Sequence, residues 1–179
     1  KANLEWIGSL SHGASFLNLF RLQGVPDWFS GSYILSPGHP FAQNYFNQTA
    51  LVIFSFLIPI LALLSFLLVK KGSQLKELIF FWFLSLVGMF FVAGTHPPLG
   101  FIYELIYNYV PGFIIFRSPY YKFGSLLFIG VGVLVAFSLG AVIKLINSKF
   151  KVQIFRKAIT FCLLVTFIGV WILFDYKLY

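Results

Sequence analysis

Charged residues are scarce in this chain. Of its 179 residues, 13 are Lys or Arg and 5 are Asp or Glu, so only 10% carry charge. A soluble domain carries about a quarter of its residues as charged side chains. With 59% hydrophobic residues and a mean hydropathy of +0.89, this chain has too little polar surface to cover a soluble core. The composition excludes an ordinary soluble domain and predicts an integral membrane protein.

Cysteine and catalytic motifs are also in short supply. The single cysteine, Cys162, excludes an internal disulfide and a thiolate metal cluster. The sequence contains no P-loop, Rossmann glycine pattern, zinc motif or nucleophile elbow. The three histidines, His12, His39 and His96, lie far apart in loop-like sequence. From these residues we predict no metal site and no cofactor.

Long uncharged apolar runs take up most of the chain after residue 48. Each run is close to the roughly 17–25 helical residues that cross a bilayer core. The pattern predicts an all-α membrane protein with about four transmembrane helices and short interfacial helices in the outer loops. The predicted division is an outer segment of 1–48 and a transmembrane bundle of 49–179, with spans at 50–69, 78–95, 120–145 and 157–175.

The cations lie between the apolar runs, and their distribution predicts the orientation. Lysines and arginines are concentrated in the links 70–77 and 144–157, which the positive-inside rule places in the cytoplasm. The segments 1–48 and 96–122 are then extracytoplasmic, in a multi-pass protein of the cell membrane. Because the cations flank spans instead of forming one patch, the sequence pI of 9.7 indicates membrane orientation and not nucleic-acid binding.

Local signals add detail to the loops and spans. The apolar spacing within 13–23 predicts a short amphipathic helix on the outer surface. The segment 98–110 is too short to span, so we predict an interfacial or re-entrant helix that ends before Pro111. Pro59 predicts a kink in the first span. Four glycines predict that a neighbouring helix approaches the third span closely. They are Gly124, Gly130, Gly132 and Gly140.

Two cations stand at the start of the third span, in "GFIIFRSPYYKFGS" (112–125). Ser118 and Pro119 read as the N-cap and the first residue of a helix, which puts Lys122 in its first turn. Free N–H groups at that helix end attract anions, and Arg117 adds a guanidinium. The sequence predicts a site for a lipid phosphate or pyrophosphate. The alternative is that both side chains reach to ordinary lipid headgroups.

Other polar residues near this pair are candidates only by position. His96 follows the second span in "AGTHPPLG", where an interfacial loop histidine is the alternative reading. Glu104 lies in the short outer helix and could pair with Arg117 or Lys122. No two carboxylates have a spacing that predicts acid–base chemistry. The catalytic residue therefore stays unassigned.

The segment "THPPLGFIYELIYNYVPGFIIFRSPYYKFGSLLFIGVGVLVAFSLGA" (95–141) resembles the later membrane part of polytopic GT-C glycosyltransferases, of the arabinofuranosyltransferase-like and YfhO-like groups. In these proteins an outer helix ends in proline, an arginine–lysine element follows, and a glycine-rich span begins. The positions that match here are Pro111, Phe116, Arg117, Lys122 and Phe123. The weaker likeness extends over 13–141. The "SPYY" between arginine and lysine departs from the arabinofuranosyltransferase pattern, which leaves the sugar open.

The resemblance implies transfer of a sugar from a polyprenyl-phosphate donor to a glycan or lipid acceptor at the cell envelope. In GT-C enzymes the acidic catalytic residue lies in an early outer loop. We therefore expect this chain to be an internal or C-terminal fragment that lacks this residue. Arg117 and Lys122 are then the contacts to the lipid phosphate, and the full-length protein leaves room for a divalent metal. Two other classes stay open: a polysaccharide or lipid transporter or ligase-type protein, and a non-catalytic membrane scaffold.

Overall fold

The computed structural model describes residues 2–29, 48–69, 73–149 and 165, and all the secondary structure in these ranges is helical. The predicted all-α class is confirmed for this part of the chain. The elements are α1 (Ala2–Ser11), α2 (Phe16–Phe20), α3 (Pro26–Phe29), α4 (Thr49–Ser55), α5 (Leu57–Leu68), α6 (Ser73–Ala93), α7 (Gly100–Tyr109), a 3-10 helix (Phe113–Phe116) and α8 (Pro119–Lys149).

Three helical segments are long and apolar enough to cross a membrane, which indicates a multi-pass membrane protein. They are Thr49–Leu68, which joins α4 and α5, Gln74–Ala93 in α6, and Pro119–Leu145 in α8. Their positions agree with the first three predicted spans. The fourth predicted span, 157–175, lies outside the described residues apart from Val165.

The first span is interrupted at Phe56, where α4 ends and α5 begins. Pro59 has no N–H to donate, and its ring clashes with the carbonyl four residues earlier, at Ser55. The chain tightens there, so that the Phe56 N–H donates to the Ile53 carbonyl at 3.1 Å. The predicted kink is confirmed, and its cause is local to this turn.

The central helix of the described bundle is α8, which packs against both α6 and α5. Its closest approach is to α6, where each backbone meets a glycine of the other helix. A Cβ added at Gly88 of α6 would lie 2.6 Å from the Leu127 nitrogen of α8. A Cβ added at Gly130 of α8 would lie 2.9 Å from the Ser85 nitrogen of α6. Both positions therefore need glycine for the backbones to come this close.

Only one of the four glycines predicted for close approach serves that purpose against α6. Gly130 makes the contact, whereas no described atom comes within 4 Å of a Cβ placed on Gly132 or Gly140. The nearest neighbour of a Cβ on Gly124 is the Phe128 ring, one turn later in the same helix, at 3.4 Å. The prediction is thus confirmed for Gly130, and among the described residues no other helix comes within 4 Å of a Cβ placed on Gly124, Gly132 or Gly140.

Buried hydroxyl groups link the spans and help to fix how the spans align, which apolar packing alone would not specify. The Ser138 hydroxyl of α8 donates to the Leu61 carbonyl of α5. Between α5 and α6, the Trp82 indole N–H donates to the Ser65 hydroxyl at 3.2 Å, and the Trp82 ring stacks on Phe66 with centroids 4.7 Å apart. Such interhelical bonds supply specificity inside a membrane, where burial from water gives no driving force.

The described part of the N-terminal segment packs beside the spans. Within the predicted 13–23, the helix α2 covers only Phe16–Phe20, and it packs against α6. Leu19 is fully buried, and the Phe20 ring lies 6.0 Å from Trp82, which stands about midway along α6. The apolar residues of α2 thus contact one of the three candidate membrane-spanning helices.

Candidate functional site

The two cations predicted to bind an anion stand on either side of the start of α8. The helix begins at Pro119, as predicted, and the Lys122 N–H donates to the Ser118 carbonyl at 3.2 Å. Ser118 thus takes the N-cap position. Arg117 ends the 3-10 helix, with its N–H donating to the Ile114 carbonyl at 3.3 Å. The side chains of Arg117 and Lys122 are both exposed.

The electrostatics at this point favour an anion. The 31 residues of α8 align their peptide dipoles, which places partial positive charge and free N–H groups at Pro119. A cation in the first turn is unfavourable by itself, and a bound anion turns that repulsion into attraction. An incoming phosphate would meet the guanidinium of Arg117, the ammonium of Lys122 and backbone donors in one short stretch.

A cluster of aromatic rings anchors this stretch to the bundle. The Phe116 ring lies 4.9 Å from Phe123 of α8, and Phe123 stacks on Phe91 of α6 with centroids 4.7 Å apart. Phe113 joins the cluster 5.1 Å from Phe116. Because Arg117 directly follows Phe116, the cluster fixes the backbone that carries the guanidinium.

Tyr103 of α7 holds the same stretch of backbone through a hydrogen bond. Its side chain is fully buried, and its hydroxyl donates to the Phe116 carbonyl at 2.7 Å. Burial, with a smaller contribution from the neighbouring Tyr107, raises the pKa of Tyr103 above its ordinary value. The sequence indicated an interfacial helix with three tyrosines, but it gave no sign of which one is buried. Tyr103 is a supporting residue that sequence reasoning missed.

Replacing Tyr103 with phenylalanine should cost about 1 kcal/mol of stability at neutral pH, because the Phe116 carbonyl loses its donor. In the wild-type protein, the raised pKa means that the unfolded chain loses the tyrosine proton first, so stability falls as pH rises above about 10. The Tyr103→Phe variant lacks this contribution to the alkaline decline. Thermal unfolding in detergent from neutral to alkaline pH measures both effects.

The matched control is Tyr107→Phe on the same helix. The Tyr107 hydroxyl is buried and has no hydrogen-bond partner among the described residues, so its removal should leave stability unchanged or slightly higher. A Tyr103→Phe protein that unfolds like the wild type at every pH would contradict the supporting role.

His96 lies near the start of α8, in the turn that follows α6. A Cβ on Gly94 of that turn would lie 2.9 Å from Pro119 Cγ, so the turn adjoins the basic pair's helix. His96 is half-buried, and its Nδ1 lies 2.6 Å from the Pro97 carbonyl. Since a carbonyl only accepts, Nδ1 is the donor in this contact.

Glu104 does not join the site. It is exposed on α7, and within the described ranges no ion pair connects it to Arg117 or Lys122. The two cations are therefore not neutralised by the acid that the sequence offered. The part of the chain that the structure describes also holds no cluster of three potential metal ligands. His39 lies outside that part.

A second cation, which the sequence analysis did not single out, is buried beside the first span. The Arg21 Nε donates to the Ser55 hydroxyl at 2.7 Å, and its guanidinium carbon lies 4.6 Å from the centre of the Phe56 ring. Arg21 is only 8% exposed. Two residues on, Gln23 is 1% exposed, and its side-chain amide has no hydrogen-bond partner among the described residues.

Comparison with known proteins finds no family model, no curated protein and no solved structure that matches this chain. The glycosyltransferase resemblance of residues 95–141 therefore stays a prediction from sequence. The geometry at the start of α8 is what indicates a function for this chain.

Proposed function

We propose that the start of α8 binds the phosphate of an isoprenoid lipid, and that the chain is part of a GT-C type glycosyltransferase that takes its sugar from a polyprenyl-phosphate donor. In this proposal Arg117 and Lys122 neutralise the lipid phosphate as the sugar leaves. The acceptor is a glycan or a lipid. The catalytic acid lies in a part of the protein other than this chain, where a divalent metal would also bind.

The observation that carries the proposal is the exposure of both cations at an anchored helix N-terminus. If Arg117 and Lys122 only covered the surface of a loop, their backbone would not need this support. Here a buried tyrosine holds the Phe116 carbonyl, and the neighbouring rings pack against α6. Preorganised positive charge is what stabilises a phosphate that gains charge during transfer. Exposure leaves Arg117 and Lys122 free to approach a ligand from outside the bundle.

The orientation belongs to the same proposal. With four spans and the basic links in the cytoplasm, residues 1–48 and 96–122 face the outside of the cell membrane. The start of α8 then lies at the depth of the outer headgroups, because Pro119 begins a span. A polyprenyl phosphate presents its phosphate at that depth and leaves its chain in the bilayer.

Binding can be measured on this chain in nanodiscs that contain an isoprenyl monophosphate or the matching isoprenol. The double variant Arg117→Gln, Lys122→Gln should bind the phosphate at least about tenfold more weakly, because two charge-assisted contacts are lost. Lys76→Gln is the matched control, since Lys76 is an exposed cation at the opposite end of α6. Equal binding of the phosphate and the isoprenol by the wild type would contradict the site.

Two further outcomes separate the alternatives. If phosphatidylglycerol displaces the isoprenyl phosphate with equal strength, the pair serves ordinary headgroups and the isoprenoid assignment is wrong. In the complete protein, Arg117→Ala should abolish sugar transfer while insertion and folding are unchanged. Normal turnover by that variant would rule out the transferase role even if lipid binding is confirmed.

A further inference from the structure

A cavity of about 470 Å³ opens between the three long helices at the end away from the basic pair. The ends of α5 and α6 that meet there contribute Val69 and Gln74, and α8 contributes the remaining side. The volume lies within the range of pockets that hold small organic ligands, about 300–1,000 Å³. The cavity is thus large enough for a ligand and separate from the site proposed above.

Small residues of α8 create the space. Ala136, Gly140 and Ala141 line the cavity, and no described atom lies within 4 Å of a Cβ placed on Gly140. Between Ala136 and Gly140, the Ser138 hydroxyl donates to the Leu61 carbonyl and holds α5 against α8. The two helices are therefore fixed at the level of the cavity, and among the described residues the small side chains beside this contact leave it unfilled.

The polar groups of the cavity are confined to one rim. The lining residues of α5 and α8 are apolar apart from Lys144, and α6 adds the Gln74 amide. Lys144 stands one residue before the end of the span Pro119–Leu145, where a helix leaves the hydrocarbon for the headgroup layer. An apolar body with a cation at headgroup depth is complementary to an acyl chain that carries an anionic head.

We propose that this cavity binds an anionic phospholipid, with one acyl chain along Ala136 and Gly140 and the phosphate at Lys144 and Gln74. The charge at the rim selects the headgroup, because each cation near an anionic lipid surface contributes about 1 kcal/mol. The small residues select the chain, because a larger side chain at Gly140 would occupy its place. This site is independent of the isoprenoid proposal and lies at the opposite end of the spans.

Native mass spectrometry of the whole chain in detergent, with phosphatidylglycerol or phosphatidylcholine added, tests the proposal. The background variant Arg117→Gln, Lys122→Gln removes lipid held at the other site. We expect one tightly held phosphatidylglycerol per chain and weaker retention of phosphatidylcholine. Lys144→Gln should lower phosphatidylglycerol binding about fivefold, and Gly140→Leu should remove retention of both lipids.

Matched variants separate lipid loss from misfolding. Lys76→Gln removes a nearby cation that does not line the cavity, and Gly132→Leu adds the same side chain to an exposed position of the same helix. Both should retain phosphatidylglycerol. Equal retention of the two lipids, unchanged by Lys144→Gln, would overturn the proposal, as would full retention by a folded Gly140→Leu protein. A mass of two chains without lipid would show that a second copy covers this face instead.

Discussion

Replacing Gly88 with leucine is expected to prevent the folding of this protein. Even the first carbon of a side chain at this position would lie 2.6 Å from the Leu127 nitrogen and 3.0 Å from its Cα, both in the backbone of α8. The backbone of a helix cannot move aside as a flexible side chain can. The clash forces α6 and α8 apart along the largest interface of the described bundle, at a cost of more than about 3 kcal/mol.

Separation of these helices would also break the second close contact of the crossing. Gly130 meets the backbone and hydroxyl of Ser85 at the same level, so the two glycines form one close crossing. The aromatic cluster that anchors the basic pair depends on the same alignment, because it stacks Phe91 of α6 on Phe123 of α8. A Gly88→Leu protein that folded in part should therefore also lose the anion binding proposed for Arg117.

The measurement is the yield of monodisperse protein after detergent extraction, followed by thermal unfolding of whatever is recovered. Gly88→Ala should already melt at a lower temperature, and Gly88→Leu should aggregate. The matched control is Gly132→Leu, where no described atom lies within 4 Å of the new Cβ. That variant should fold with equal or higher stability, because leucine favours helix over glycine by nearly 1 kcal/mol. Equal behaviour of the two leucine variants would contradict the close crossing.

The spans were predictable from sequence because length and hydropathy alone define them. The kink at Phe56 was predictable too, since Pro59 removes a specific hydrogen bond whatever surrounds it. The beginning of α8 at Pro119 followed from the same kind of local chemistry. These features depend on a few neighbouring residues, and so the sequence contains all the information that they need.

Features that depend on which helix faces which were not predictable in the same way. The four glycines of the third span are alike in sequence, yet only Gly130 contacts α6. Its counterpart in α6, Gly88, was not predicted to be a contact residue. Tyr103, Tyr107 and Tyr109 lie in one helix, and only the tertiary fold decides that Tyr103 supports the Phe116 carbonyl. The helix α1 was also missed. It has a weak apolar pattern and is held by contacts with α8 and α3.

Arg21 is the clearest case, since a lone arginine in an amphipathic segment usually lies at a surface. Here α2 ends in a Schellman turn, in which the Gln23 N–H donates to the Asn18 carbonyl at 2.7 Å and Leu22 takes a φ of +57°. This turn directs the chain toward the first span. The guanidinium then enters the kink that Pro59 creates, where Ser55 offers a hydroxyl and Phe56 a ring face.

Replacing Arg21 with alanine is expected to lower the free energy of unfolding by about 2–4 kcal/mol, the sum of a charge-assisted hydrogen bond and a desolvated cation–π contact. Arg21→Lys should recover only part of this, because an ammonium cannot bond to Ser55 and stack on Phe56 as a planar fork does. Thermal unfolding in detergent measures the loss. The exposed Arg117→Ala is the matched control and should melt like the wild type.

A double-mutant cycle identifies the contact that is responsible. If the Arg21 guanidinium stabilises the fold partly through Ser55, the loss in Arg21→Ala, Ser55→Ala should be smaller than the sum of the single losses by about 1 kcal/mol. Strict additivity would mean that the hydrogen bond carries none of the stability. An unchanged melting temperature in Arg21→Ala would mean that the N-terminal segment is not held to the first span by this residue, and that its place beside α6 depends on apolar contacts such as those of Leu19 and Phe20.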